Sequence, residues 1–446
     1  MIYDVRVKHT QKKRNGDELM KYDVIVVGAG PSGSSAAYRL AKDGFNTLLV
    51  ERGRTPGSKN MYGGRIYSYP ITKYFSEYKD QVPIERHVTK ERISFLSEKS
   101  AFNIEFENPK INGFSAGGFT AVRAKFDKWI SEKAEEAGAT LITGIKIDNV
   151  IREDGIVKGI QAGSDKIYSD VVIAADGITS QIAKDLGLRG DWNPNQIAVG
   201  IKETIQLPKN VINDRFNLLD EEGMANVFVG DLTEGIMGGG FLYTNKENIS
   251  LGIVVRSDDL TKRKVHIDTL LQRFKSHPTV HKLIKEGKPQ EYSTHMIPDA
   301  GVSMMPKLYD NGIMLVGDAA GFLINNGYTY RGVDLAMESG IAAAETYNRI
   351  KKQNMFSNSE LKLYEKILND KGLLKDMRRF RNTPKYLDNR RLYTTYPDLI
   401  CSIAEDMYTV QGFGKEKMFK TVRQQIKKKT SIFNLTKDLI STLNNM

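Results

Sequence analysis

Residues 21–52 read KYDVIVVGAGPSGSSAAYRLAKDGFNTLLVER. A β-branched apolar run, Val24 to Val27, leads straight into Gly28-Ala29-Gly30-Pro31-Ser32-Gly33. Such a run fits a parallel strand buried on both faces. The glycines complete G-x-G-x-x-G, and small residues (Ala36, Ala37, Ala41) follow at spacings that suit a helix packed against that strand. Gly44 ends the helix, and Thr47 to Val50 forms a second strand that closes on Glu51. Each part has a physical task. Gly28 permits the tight turn, Gly30 lets a pyrophosphate approach the backbone, and Gly33 lets helix and strand pack closely. The helix N-terminus offers unpaired N–H groups to phosphate. Glu51 stands near the offset of about 20 residues expected of an acid that hydrogen-bonds a ribose hydroxyl. Strand, turn, helix and acid agree on a dinucleotide site.

Working outward, three more segments share this grammar. Gly117 to Gly144 has the outline of a strand, a helix carrying Phe126, Trp129 and Ile130, and a return strand. Ser169 to Leu188 is a buried strand ending in Asp176-Gly177, then a helix with Ile182 and Leu186. Ile313 to Val316 is an apolar strand ending at Gly317-Asp318-Ala319-Ala320-Gly321. An acceptor at a strand's C-terminal end can fix a polyol, while the next helix aims its N–H groups at phosphate or ring.

Together these motifs resemble the flavoprotein superfamily of aromatic hydroxylases, geranylgeranyl reductases and electron-transfer flavoprotein:quinone oxidoreductases, over roughly residues 21–350. The resemblance implies FAD. It assigns the ADP half to Gly28, Gly30, Gly33 and Glu51, with Arg52 beside them. It places Arg123 of the R-x-x-F-D pattern beside the cofactor, has Asp176 and Gly177 support the site, and sets Asp318, after Gly317, on the ribitol chain.

Two further stretches narrow the family. TPGSKNMYGGRIY (Thr55 to Tyr67) carries Lys59-Asn60 ahead of Gly63-Gly64-Arg65, and GDAAGFLINNGYTYRGVDLAMESG (Gly317 to Gly340) carries Asn-Gly-Tyr-Thr-x-Arg-Gly-x-Asp. Both resemble FixC-type relatives of the electron-transfer flavoprotein:quinone oxidoreductases. So do YSTHMIPD (Tyr292 to Asp299), the glycine-rich Gly238 to Gly252, and YTTYPDLICSIAEDMY (Tyr393 to Tyr408). The resemblance then covers nearly everything after residue 20. It implies electron transfer between electron-transfer flavoprotein subunits and a quinone, with a ferredoxin-like companion. A flavin that only takes and gives electrons needs no nucleophile or general base from the protein. Lys59, Asn60, Gly63, Gly64 and Gly327 are therefore read as cofactor-binding, and Arg65, Thr329, Tyr330 and Arg331 as flavin-adjacent. Ordinary packing of Tyr328 and Tyr330, ion pairs of Arg65 and Arg331, and a structural His295 stay open as alternatives.

Composition bounds the rest. The chain has 446 residues and one cysteine, Cys401, so neither a disulfide framework nor a cysteine-held cluster can come from it alone. Any cluster belongs to another chain. The six histidines lack H-E-x-x-H spacing, and no metal site is expected. No apolar run reaches the ~18–20 residues of a membrane span, and the charged N-terminus does not resemble a signal peptide, so a cytoplasmic protein is expected. Net charge is +11, and residues 351–446 hold 20 Lys+Arg against 10 Asp+Glu. That concentration argues against a uniformly basic nucleic-acid binder and for a docking surface toward something acidic, protein or lipid. Phe419, Val422 and Ile426 at helical spacing beside Lys427 to Lys429 suggest a peripheral membrane contact through the C-terminal region, at the cytoplasmic membrane face.

The expected fold class is α/β: a Rossmann-like FAD-binding domain (three-layer ββα) with an inserted antiparallel-sheet substrate domain and a helical C-terminal region. Residues 21–70, 115–190 and 290–350 are assigned to the FAD-binding domain, and 71–114 and 191–289 to the substrate/quinone domain. Residues 351–446 form the helical, basic C-terminal region, and 1–20 a basic tail, read either as disordered or as following an upstream start. The main alternative is a geranylgeranyl-type reductase, which saturates prenyl double bonds. Its Tyr-x-Trp motif is missing here, since the glycine-rich strand reads Gly240-Phe241-Leu242-Tyr243. A hydroxylase usually has His after GDAA and a proline soon afterwards, where this chain has Gly321 and no proline before Gly332. A non-catalytic assembly subunit that binds FAD structurally is a third alternative.

Overall fold

A computed structural model describes residues 21–58, 64–110, 114 and 117–445. The expectations placed on residues 1–20 and on Lys59, Asn60 and Gly63 fall outside the described residues.

The apolar run forms the strand Lys21–Val27 at the middle of an eight-stranded sheet. It pairs in parallel with Thr47–Glu51 on one side (Val24 opposite Thr47) and with Asp165–Ala174 on the other (Val24 opposite Val171). Thr140–Thr143 and Ile313–Leu315 extend the parallel set outward. The first half of Asp165–Ala174 pairs antiparallel with Ile156–Ala162, which pairs with Asn149–Glu153; one strand therefore joins a meander to the parallel sheet. Val24, Ile25 and Val26 have no solvent exposure, as a strand covered on both faces requires. Each such aliphatic side chain contributes about 1.5–3 kcal/mol of burial. The helix Pro31–Lys42 packs between Arg123–Glu136 and Val333–Ile350. A Cβ on Gly340 would come within 2.0 Å of the Ser32 carbonyl, so glycine there sets how closely those helices approach.

A second sheet has nine strands. Lys288–Pro298, Ile197–Gln206, Asn248–Arg256, Gly238–Thr244 and Glu222–Gly230 are successive antiparallel neighbours. Glu222–Gly230 then pairs in parallel with Arg86–Leu96, so the sheet is mixed at this one junction rather than wholly antiparallel. Arg65–Tyr67, Gly118–Thr120 and Ala101–Glu107 complete it. One face buries Ile201, Leu251 and Phe228 against Phe274 and the helices Lys209–Phe216, Ile267–Ser276 and Pro278–Ile284. The opposite face looks toward the glycine turn. From Asn358 onward the chain is helical, ending in Thr395–Tyr408, Met418–Lys429 and Ile432–Asn445.

Candidate functional site

A cavity of about 1120 Å³ lies between the two sheets and runs on to the last helices. The glycine turn forms one end. Gly28 takes φ +107° and a Cβ there would stand 2.3 Å from the Ala175 carbonyl, while one on Gly33 would stand 1.9 Å from the Gly28 carbonyl. Gly30 has nothing within 4 Å of its Cβ position, so the turn is tight behind and open in front. Glu51 fixes its shape: one carboxylate oxygen accepts the Ala29 N–H at 2.9 Å, the other the Gly53 N–H at 2.6 Å.

Arg123 borders the middle of the cavity and pairs with Asp127 through Nε–Oδ1 at 2.8 Å and Nη2–Oδ2 at 2.9 Å. The i,i+4 spacing on Arg123–Glu136 brings them together. Burial alone would press the guanidinium toward losing its proton, but the Asp127 carboxylate outweighs that and holds its pKa above the usual value. Asp318 faces the cavity from the end of the Ile313–Leu315 strand, and its carboxylate accepts no hydrogen bond from the described residues. It is partly open to the cavity yet deep in the protein; burial lifts its pKa to about 6, against the pull of Arg123. Asp176 caps the next helix by accepting the Ile182 N–H at 3.1 Å, which leaves its buried Oδ1 without a partner.

On the far wall, Arg65 pairs with Glu91 (Nη2–Oε1 2.5 Å) over the Tyr67 ring, with its buried Nε unpartnered. In the loop 325–332, Asn326 Oδ1 accepts from the Thr329 N–H and hydroxyl at 2.8 and 2.9 Å. Gly327 takes φ +89°, which favours glycine.

The second sheet supplies the floor. Side chains alternate across a strand, so the register sets Ser293, Lys202, Gly252, Phe241, Val227 and Ile93 in one row facing the cavity side. The row is polar at one end and apolar at the other. Lys202 is 3% exposed and makes no hydrogen bond or ion pair among the described residues. Burial lowers its pKa to about 8, with Glu291 opposing and Arg123 assisting. His295, in the adjacent row, is held near 4 by burial and by Arg123. Past the floor the cavity becomes an apolar arm walled by Tyr386, Leu387, Tyr393, Leu399 and Leu439.

Of the residues singled out by sequence, Gly28, Gly30, Glu51, Arg52, Gly64, Arg65, Arg123, Asp176, Gly177, Asp318, Gly327, Thr329 and Tyr330 border this cavity. Gly33 and Gly317 stand behind its wall, where a Cβ on Gly317 would come 2.7 Å from Ser32 Oγ. Arg331 is not on the wall: it pairs with Asp334 at 2.8 Å and Asp376 at 3.3 Å. Sequence reasoning passed over Lys202, Asp299 and the aromatic wall at Tyr386 and Tyr393. Asp299 ends the quoted YSTHMIPD motif, and the buried lysine's strand alternation was its only signal.

These residues fit FAD. The turn is closed to a Cβ at Gly28 and Gly33 but open at Gly30, Asp318 awaits hydrogen-bond donors, and Asp176 Oδ1 lacks a partner. Residues 383–446 match the ETF-QO/FixC family C-terminal domain and residues 8–93 the Thi4 family. Protein FixC of Salmonella typhi is 44% identical over 417 residues, covering 94% of this chain and 97% of that protein. A probable electron transfer flavoprotein-quinone oxidoreductase of Escherichia coli K12 is 42% identical with the same coverage. Among solved structures, a geranylgeranyl bacteriochlorophyll reductase-like protein from Thermoplasma acidophilum superposes with TM-score 0.73 at 23% identity, covering 95% of this chain and 100% of that one. The FAD-dependent halogenase CndH reaches 0.62 at 18% identity, covering 81% of this chain and 80% of that one. At these identities the structural likeness speaks to the fold alone.

Proposed function

The chain belongs to the FixC and electron transfer flavoprotein-quinone oxidoreductase family, and from that membership we propose that it passes electrons, through bound FAD, between an electron-transfer flavoprotein and a quinone, with a ferredoxin-like companion on a separate chain. It is a FAD-dependent oxidoreductase. Bound FAD supplies the electron chemistry itself; the protein binds, orients and shields. In this reading the turn at Gly28 to Gly33 and Glu51 hold the ADP half, Asp318 holds the ribitol, and Arg123 and Asp176 brace the middle. The loop at Gly327 and Thr329 approaches the ring, with Arg65 and Tyr330 nearby.

One observation carries the proposal: the cavity is continuous from Gly30 and Asp318 to the apolar arm at Leu387, Leu399 and Leu439. An apolar ring-and-tail acceptor can enter along that arm, whose apolar lining is interrupted by Tyr396, Asp438 and Thr442. The single cysteine, Cys401, is buried on Thr395–Tyr408, which supports placing any iron–sulfur cluster of the electron path on another chain.

Among the described residues no helix is long and apolar enough to cross a membrane. Phe419, Phe433, Ile440 and Leu443 are nevertheless exposed on the last two helices, beside Lys427 to Lys429. That combination supports a peripheral approach to an anionic bilayer, where the quinone resides. Flotation with anionic liposomes before and after deleting 415–446 tests it; unchanged binding removes the tail as the anchor.

To test the main reading, the reduced protein is mixed with a menaquinone analogue and, separately, with a prenyl lipid. Rapid flavin reoxidation by the quinone and none by the lipid is expected. A saturated prenyl product would sink the proposal in favour of the reductase.

A further inference from the structure

Carrying electrons asks no base of the protein, but reduction of FAD to FADH2 takes two protons with the two electrons, and an electron carrier brings only the electrons. Those protons must cross from solvent into a cavity enclosed between two sheets. A group that passes them has to touch both sides and to hold or release a proton near neutral pH.

Asp299 meets the first condition by its position. It follows the strand Lys288–Pro298 and is 6% exposed, and its N–H donates to the Gln196 carbonyl at 2.8 Å. On one side it borders the main cavity, together with Asn325 and Tyr330. On the other it borders a separate void of about 10 Å³, the size of one water, whose wall includes Phe380 and Pro384. Both are half-buried, and Arg381 and Asn382 between them are exposed, so little protein separates the void from solvent.

The second condition is met by its partners. Oδ1 accepts from the Tyr330 hydroxyl and from Asn325 Nδ2, while Oδ2 accepts no hydrogen bond from the described residues. Asn325 Oδ1 accepts the Gly327 N–H at 3.0 Å, which joins the carboxyl to the loop 325–332. Among the other acids of the cavity wall, Asp127 and Asp438 pair with arginines and Glu51 holds two backbone N–H groups. Asp318 is taken by the ribitol in the reading above and borders no second void. The charged and titratable groups around Asp299 are Tyr330, Tyr393 and Arg256. Tyr393 donates to the Leu387 carbonyl at 2.9 Å, and Arg256 is held by Asp258 and Asp388. Burial outweighs both hydrogen bonds and the pull of Arg256, and lifts the Asp299 pKa to about 6. His295, on the same strand, stays near 4 and is uncharged at pH 7.

We propose that Asp299 delivers the protons of flavin reduction: its carboxyl gives one into the cavity and regains another from solvent through the void at Phe380 and Pro384, with Tyr330 as its positioning residue. This rests on the electron-transfer reading above and deepens it. Per turnover an electron carrier supplies two electrons. Asp299 breaks its O–H bond twice, each time passing the proton to the cofactor, and twice takes a replacement from water, so FAD ends as FADH2 and the carboxyl unchanged.

The test uses the full-length protein. In the flavin-free form, infrared titration is expected to show a carboxyl C=O band that fades as pH rises through ~6 and is absent from Asp299→Asn. In the FAD-loaded form, reduction by dithionite is followed by stopped flow, and the wild-type rate is expected to fall over the same pH interval. Asp299→Asn is expected to bind FAD normally, to be reduced about 10- to 100-fold more slowly at low pH, to lose the pH dependence, and to recover in part with added formic acid. Tyr330→Phe removes a hydrogen bond that favours the carboxylate, so its fall in rate is expected at higher pH. Should Asp299→Asn fail to hold FAD, Tyr330→Phe and the infrared titration carry the test. An Asp299→Asn rate and pH profile equal to wild type overturn the proposal. So do a slow variant that formic acid does not rescue, an unmoved Tyr330→Phe profile, or the absence of a titrating carboxyl band. Failure of quinone to reoxidise the wild-type flavin sinks the functional reading instead, because proton delivery is read from the reductive half alone.

Discussion

The Tyr330 hydroxyl donates to Asp299 Oδ1 at 2.5 Å, tying the cavity loop to the end of the Lys288–Pro298 strand. Asn325 Nδ2 donates to the same oxygen at 3.1 Å. Burial raises the Asp299 pKa to about 6 even though both hydrogen bonds pull it down. In the unfolded chain the group titrates near ~3.9. The folded state therefore holds its proton more tightly, and this carboxyl favours folding most below pH ~4, losing that advantage as pH rises through ~6. Asp299→Asn keeps an acceptor for Tyr330 and removes the titration. The variant is expected to gain about 2 kcal/mol relative to wild type between pH 4 and pH 8. Chemical denaturation of the flavin-free protein across that range measures it, and a pH-independent difference refutes the assignment.

The fingerprint glycines separate by what surrounds them. Gly33→Ala puts a methyl 1.9 Å from the Gly28 carbonyl and is expected to cost stability and flavin together. Gly30→Ala meets no atom within 4 Å, so its thermal midpoint without FAD should match wild type while FAD affinity falls at least tenfold. Thermal denaturation and flavin fluorescence titration read the two quantities. If Gly30→Ala binds FAD normally, the phosphates do not lie against that turn.

Lys202→Met replaces a buried ammonium lacking an ion pair by an apolar chain of similar length. The lysine's folded pKa, about 8, is below its unfolded value near ~10.4, so wild type gains stability as pH rises through that interval. The variant is expected to be more stable at pH 7, by about 2–3 kcal/mol, with the difference vanishing above pH ~10.5. The loss of positive charge beside the cavity should also lower the midpoint potential of bound flavin, measurable by redox titration. An unchanged potential excludes an electrostatic influence of Lys202 on the cofactor.

Asp318→Ala and Arg331→Ala distinguish a ligand-holding residue from a fold-holding one. Removing Asp318 is expected to weaken FAD binding about 10- to 100-fold, the worth of a hydrogen bond to a charged group. Removing Arg331 strands Asp334, whose side chain is 1% exposed, and is expected to cost about 3 kcal/mol of stability with flavin affinity unchanged. Isothermal titration with FAD and denaturant melts report both; the opposite pattern would exchange their parts.

Much of this was legible in the chain because local chemistry and tertiary position coincide at the glycine turn. Gly28, Gly30, Gly33 and Glu51 lie within one strand–helix–strand unit, so spacing alone predicts where they meet. Asp318 was legible because strand ends in a parallel sheet share one edge. Arg331 was not. Its partner Asp376 is 45 residues away on the helix Leu373–Arg379, and nothing in Thr329-Tyr330-Arg331 indicates which way the guanidinium turns. The parallel junction of Glu222–Gly230 with Arg86–Leu96 was also hidden, because strand alternation gives the buried face but no direction. The apolar arm depends on Ile432–Asn445 folding back, where the Thr383 hydroxyl donates to the Asn445 carbonyl at 2.5 Å. Composition marked that region as basic and helical without showing that it walls the cavity.

The cavity begins at Gly28 and reaches Leu439, so its walls draw on both ends of the described chain. Whatever fills it ties early and late segments into a single cooperative unit, with a stabilisation that grows with the logarithm of ligand concentration. Flavin supply is then expected to set the fraction of chains held folded, and pulse-chase turnover in flavin-starved against flavin-replete cells measures it.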